Sequence, residues 1–197
     1  MAVPTRERLL DEAERLFARS GIQGTTTREV TTAAGQRNAS AVSYHFGSRQ
    51  GLLWELLARR GAPVDVERGE LRDQAGEAPE LVELVRCLVV PYVSLLHDVR
   101  GRSYLRIVAQ LRGRFAAWRV ESDEATTRHL GRILDEIESR PEAPLAVRRE
   151  RVVGLIMLLT AAVAERARTV DDGATPTLDH EAFVENLIQM CASVVGT

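Results

Sequence analysis

Lysine is absent from this chain: all 26 of its Lys+Arg positions are arginine. We read that as a coding bias with no bearing on the fold. Cysteine is almost absent, with Cys87 and Cys191 far apart in sequence. That excludes a disulfide scaffold or a cysteine-rich zinc site and suits a reducing compartment. Aromatic residues make up 5% of the 197 positions, and strand-favouring runs of Val, Ile, Thr and Tyr are scarce, so the balance leans towards helix. The longest apolar stretch, Val152 to Ala164, falls short of the ~20 residues that a membrane-spanning helix needs. The opening Met1-Ala2-Val3-Pro4-Thr5-Arg6 carries no apolar signal core. Together these absences lead us to expect a soluble cytoplasmic protein that makes no membrane contact.

Catalytic signatures are missing as well. No nucleophile elbow, phosphate loop or dinucleotide fingerprint occurs, and the histidines at 45, 97, 129 and 180 have no metal-ligand spacing. Cys87 and Cys191 read as buried structural thiols. The expectation is a protein that is not an enzyme and holds no metal or cofactor.

What is present is a globular composition, 45% hydrophobic and 27% charged, with a net charge of −2. That charge is uneven: the first sixty residues carry an excess of arginine over carboxylates, and the rest an excess of carboxylates. A basic end on an acidic body permits a nucleic-acid-facing surface. Helical spacing begins at once, with Leu9, Leu10, Ala13, Leu16 and Phe17 on one face of a helix from Arg6 to Ser20, with Thr5 as its cap. Thr26-Thr27-Arg28-Glu29 is a capping box that opens a second helix ending at Gly35. A third segment, Ala39 to Phe46, has Asn38 as its expected cap and Val42 and Phe46 one turn apart. Ser48 caps a fourth helix that Gly61 and Pro63 are expected to stop. Beyond it, longer helices are expected at about 65–75, 79–98, 102–118, 122–139, 145–169 and 178–195, with Pro91 kinking the second of these.

The third segment is the informative one. Its Ser40, Ser43, Tyr44 and His45 surround only two apolar anchors. A core helix would carry fewer polar groups, and a solvated helix more Glu and Arg. Two short helices joined by a glycine-containing turn form a helix-turn-helix pattern, whose second helix enters a groove ~12 Å wide.

The stretch Gly21-Ile22-Gln23-Gly24-Thr25-Thr26-Thr27-Arg28-Glu29-Val30, then Ala34-Gly35, then Val42-Ser43-Tyr44-His45-Phe46-Gly47-Ser48-Arg49 and Leu52-Leu53 resembles the DNA-binding domain of the TetR family of bacterial transcriptional regulators. The likeness covers roughly Thr5 to Leu57. It implies an all-α protein in two parts: a helix-turn-helix DNA-binding domain at 1–47, and a larger helical effector-binding and dimerisation domain at 48–197. It further implies that Thr27 and Arg28 touch phosphate or base, and that Arg37, Asn38, Ser40, Ala41 and Ser43 read or approach bases. Tyr44, His45 and Arg49 would clamp phosphates. One departure stands out: the turn at Gln36-Arg37-Asn38-Ala39 is one residue longer than the common family pattern.

In such a family the long helices surround an inducer pocket. The residues expected to line it are Tyr92, His97, Tyr104, Phe115, Trp118 and Met157. The helix from 145 to 169 is apolar all round, so it should be covered on two sides, one of them by a second copy of the chain. Leu155, Ile156, Leu159 and Val163, with Phe183, Leu187 and Val194 of the last helix, are the expected dimer residues. The reading is a homodimeric, small-molecule-responsive repressor of a double-stranded DNA operator. Two alternatives stay open: an all-helical protein-interaction module without DNA binding, or a DNA-binding regulator without a small-molecule effector.

Overall fold

A computed structural model describes residues 4–38, 40–111 and 124–196, and among these every regular element is a helix. Helix α1 spans Thr5–Ser20, α2 Thr27–Ala33 and α3 Ala41–Phe46. Thr5 lies within α1, with Pro4 at the cap position. The capping box at α2 closes as its sequence dictates. Thr26 Oγ1 accepts from Glu29 N at 3.2 Å, and Glu29 Oε2 accepts from Thr26 N at 2.7 Å. Gly35 has φ +69° and Gly47 φ +72°, left-handed values that glycine adopts without strain, and they turn the chain into and out of α3. The third helix starts two residues later than expected. Asn38 Oδ1 binds Ser40 N and Oγ at 3.0 and 2.7 Å, forming a turn ahead of the helix rather than a cap on it.

The largest difference concerns the fourth helix. Gly61 and Pro63 do not stop it: α4 runs without a break over Arg49–Gln74, replacing the two helices expected there. Pro63 removes one backbone hydrogen bond, yet packing on both sides of it holds the helix. Leu52, Leu53 and Leu56 are buried in a core with Leu9, Leu10, Phe17, Val30 and Val42, while Leu57 and Leu71 pack on a second, larger core. Just before Pro63, Arg59 pairs with Asp11 at 2.8 Å and Arg60 with buried Glu14 at 3.2 Å, bolting α4 to α1. Burial raises the Glu14 pKa against the pull of Arg60. Tertiary contacts thus outweigh the local proline cost.

The second core is built from α5 (Leu81–Ser94), a 3₁₀ turn (Leu95–His97), α6 (Val99–Leu111), α7 (Glu124–Ser139), α8 (Leu145–Asp171) and α9 (His180–Gly196). Pro91 lies inside α5, and the helix tightens to the 3₁₀ turn one residue after Ser94. Helix α6 joins the two cores: its Ile107 is buried in the N-terminal one, and Gln110 is bonded there as well. Gln110 Nε2 donates to Phe17 O at 3.1 Å, and its Oε1 accepts from Ile22 N at 2.7 Å. Among the described residues no helix is long and apolar enough to cross a membrane.

Gly69 shows how tightly α4 meets α7. A Cβ added there would lie 2.5 Å from His129 Nδ1 and 2.6 Å from its Cε1. Glycine inside a helix ordinarily costs ~0.5–1 kcal/mol relative to alanine. Here the sign should reverse: Gly69→Ala is expected to destabilise by ~1–3 kcal/mol through overpacking. Combining it with His129→Ala should restore the ordinary alanine gain. Urea unfolding of both single variants and the double variant measures the coupling, and a Gly69→Ala protein more stable than the parent would contradict this contact.

Candidate functional site

Two sets of polar residues stand apart from ordinary packing. The first is the outer face of α2 and α3. Val30, Ala41 and Val42 point into the N-terminal core, which turns Arg28, Arg37, Asn38, Ser40, Ser43 and Tyr44 to the surface. Tyr44 is 83% exposed and meets the His45 ring edge-on, with centroids 5.0 Å apart. Thr27 and His45 are half-buried at the margins of the same face. Two expected contact residues behave differently. Ala41 is buried, so its methyl group is withdrawn from the surface. Arg49 is turned inward: its guanidinium donates to Ile22 O and to Thr25 O at 3.0 Å, and lies over the Phe17 ring. It fastens the start of α4 to the loop ahead of α2. Ala39 lies outside the described residues.

The second set surrounds the inner face of α4, where Gly61, Asp65, Arg68, Gly69 and Arg72 recur at helical spacing. Asp65 accepts from His129 N at 2.9 Å and Leu130 N at 2.8 Å. Those amides follow Thr127, whose φ of −141° interrupts α7, so a carboxylate from another helix caps the regular part of α7. Arg68 is buried, 3.9 Å from Asp65. Tyr92 of α5 and Tyr104 of α6 are buried near enough to bear on its charge, as it bears on theirs. Burial lowers the Arg68 pKa, raises that of Tyr92, and pushes Tyr104 up to about 12, so both phenols stay protonated. Among the described residues, no hydrogen-bond partner reaches Arg68 Nε, Tyr92 Oη or His129 Nδ1.

Of the residues expected to line an effector pocket, Tyr92 and Tyr104 share this buried cluster. His97 is exposed and pairs instead with His180 at 4.6 Å between ring centroids. Desolvation, His97 and Arg166 together hold the His180 pKa below its ordinary value. Met157 is on the outer surface of α8, 44% exposed, and Phe115 and Trp118 lie outside the described residues. Sequence reasoning missed Asp65, Arg68 and His129, because charges spaced along a helix ordinarily mark its solvated face. Gly61 and Gly69 on that stripe were the available signal: a Cβ at 61 would come within 3.0 Å of Tyr104 Oη. No group of three or more metal-binding side chains forms among the described residues.

The residues expected at a dimer interface are mostly spent inside the monomer. Leu155, Ile156, Leu159, Val163 and Leu187 are buried in the second core, and Phe183 and Val194 are half-buried against it. Leu155, Ile156, Leu159 and Val163 lie on the inward face of α8. The outward face of α8 and α9 carries Met157, Ala161, Asn186 and Met190.

Comparison with known proteins agrees with this architecture. Residues 9–56 match the sequence model of bacterial regulatory proteins, tetR family. The HTH-type transcriptional repressor AcnR of Corynebacterium glutamicum is 28% identical over 148 residues, 73% of each chain. A solved protein of Shewanella sp. PV-4 described as a tetR family transcription regulator superposes with a TM-score of 0.65 at 14% identity, covering 99% of this chain and 100% of that one. SmeT, the repressor of the Stenotrophomonas maltophilia multidrug efflux pump SmeDEF, does so with a TM-score of 0.59 at 20% identity, over 96% and 89%. The matched span begins within α1, takes in α2 and α3, and ends at Leu56 of α4. The N-terminal segment, residues 9–56, is thus similar to that of the tetR family of bacterial regulatory proteins, and the fold of the whole chain is that of solved proteins so described.

Proposed function

We propose that this chain is a homodimeric transcriptional repressor that binds a pseudo-palindromic operator and is released from it by a small molecule. The observation that carries the reading is the polar face of α2 and α3, held outward by Val30, Ala41 and Val42 on the opposite side. Arg28 and Tyr44 have the reach for backbone phosphates, with Thr27 and His45 beside them. Arg37, Asn38, Ser40 and Ser43 are exposed and carry donors and acceptors suited to base edges. Arg49 acts as a positioning residue through Ile22 and Thr25. AcnR and SmeT are both named as repressors, which supports repression over activation.

Release follows from preference for one of two states. An effector in the C-terminal domain would favour a spacing of the two α3 helices that no longer fits the operator, and α4 and α6 are the elements common to both cores. Such a ligand lowers operator affinity only by its difference in affinity for the two states.

Titration of upstream DNA tests the interface. Tyr44→Ala is expected to weaken operator binding about tenfold, the worth of one phosphate hydrogen bond, without a change in thermal stability. Arg28→Ala should weaken binding across all sequences and flatten the salt slope by about one unit. Arg49→Ala should lower thermal stability as well as affinity, since its bonds are within the protein. Full operator affinity in Tyr44→Ala and Arg28→Ala together would remove α3 and α2 as the reading face.

A further inference from the structure

Three polar atoms with no hydrogen-bond partner among the described residues lie on α4, α5 and α7, helices that pack on one another and on α6. Arg68 is 8% exposed and Tyr92 4%, and among the described residues neither Arg68 Nε, Tyr92 Oη nor His129 Nδ1 finds a hydrogen-bond partner. A buried group left unpaired is costly, and a buried guanidinium most of all. Its ion-pair partner relieves Arg68 only in part. Asp65 lies 3.9 Å away and spends both oxygens on the amides of His129 and Leu130. Helix α4 also forgoes side chains at Gly61 and Gly69, where Tyr104 Oη and the His129 ring come against it. Structural demands alone would favour apolar residues at these places, because the surrounding core is Leu, Val and Ile.

The chemistry of the cluster leans towards donors. Arg68 can only donate, and each protonated phenol of Tyr92 and Tyr104 has a hydroxyl proton to give, although its oxygen also accepts. His129 can donate through Nδ1 in one of its tautomers. Asp65, the acceptor, is already occupied. What is missing is an acceptor-rich group bearing negative charge. One guanidinium matches one charge, and a phosphate dianion would bring a second with nothing to meet it.

Resting on the regulatory reading above, we propose that the effector is an apolar organic acid whose carboxylate binds Arg68, Tyr92 and Tyr104 at this four-helix junction. The carboxylate accepts from the guanidinium and the phenol hydroxyls, and its hydrocarbon body lies among the apolar side chains around them. Charge-assisted hydrogen bonds of this kind are roughly twice as strong as neutral ones. Such a site therefore separates an acid from its uncharged amide of equal size.

Binding of hexanoate, decanoate, hexadecanoate, phenylacetate and cinnamate to the full chain, each beside its primary amide, tests the proposal by thermal shift and calorimetry. At least one acid is expected to bind tenfold or more tightly than its amide. Tyr92→Phe keeps the ring and removes only Oη. It should leave the free protein as stable as the parent, or more so, while weakening the acid about tenfold. Arg68→Met should erase the preference for acid over amide; if it does not fold, Tyr92→Phe decides. Acids that bind no better than amides, or a preference that survives these substitutions, would overturn the assignment. These measurements contain no DNA. A chain that takes the acid through Arg68 but ignores its upstream DNA sinks the repressor reading and leaves the acid site standing.

Discussion

Met157→Arg is expected to turn the proposed dimer into a folded monomer and to lower affinity for a two-half-site operator by about a hundredfold or more. The side chain is 44% exposed and Met190 on the neighbouring helix 43%. Helices α8 and α9 run side by side: a Cβ on Gly154 would be 3.3 Å from Val194, and Arg166 lies 4.7 Å over the Phe183 ring. Interpolating between those contacts sets Met157 and Ala161 opposite the Met190 turn. The result is a mixed apolar and small-residue surface on which a two-fold partner can pack. Arginine there adds a charge that two copies would bring together, yet in the monomer it projects into water. Leu159→Arg is the contrasting substitution. Leu159 belongs to the second core, so a charge at that position should unfold the chain rather than separate subunits. Sedimentation, circular dichroism and operator titration on the same samples distinguish the two. A folded Met157→Arg protein that still sediments as a dimer refutes the interface. A monomer that binds the full operator with parental affinity refutes the coupling.

The N-terminal third was legible because its signals are local. A capping box reads the same in any context, and Thr26 and Glu29 form it here; Gly35 and Gly47 occupy the left-handed positions that turns demand. What escaped depended on contacts distant in sequence. Pro63 is a helix stop by every local rule, but α1 grips α4 through Asp11 and Glu14 just before it, and the larger core grips it after. An apolar helix such as α8 announces that two sides are covered without saying which residues face which. Leu155, Leu159 and Val163 therefore read as dimer residues, whereas the structure buries them in the larger core. Arg68 was hidden for the converse reason: a charged residue in a helix is ordinarily solvated. Only the arrival of α5, α6 and α7 against α4 buries it, and each of those helices lies at least a dozen residues further along the chain.

The same inner face of α4 sets the last expectation, a loss of ~3 kcal/mol in Arg72→Ala, the low end of the range for removing one partner of a buried pair, because Glu136 is half-buried. Arg72 Nε and Nη2 donate to Glu136 Oε2 at 2.8 and 2.6 Å, and Nη1 to Gly76 O at 2.8 Å. One side chain thereby clamps α7 to α4 and also caps the carbonyl where α4 gives way to the loop. The hydrogen bonds to Glu136 raise the Arg72 pKa above its already high ordinary value, so the cation is present at any working pH. Among the described residues, alanine would leave Glu136 with Arg132 alone, at 3.3 Å on an exposed side chain, together with an unfilled volume. At roughly 2–4 °C per kcal/mol for a chain of this size, the midpoint should fall by about 10 °C. Arg72→Lys keeps the charge but loses the forked donation, and should recover less than half of that. The clamp is one turn from Arg68, so loosening it frees α4 to slide against α7 beside the proposed acid site. Ligand-induced release from DNA should weaken along with stability. An Arg72→Ala protein within 1 kcal/mol of the parent by urea unfolding would mean that the pair is solvated in practice, and that the α4–α7 seam is held by its apolar contacts alone.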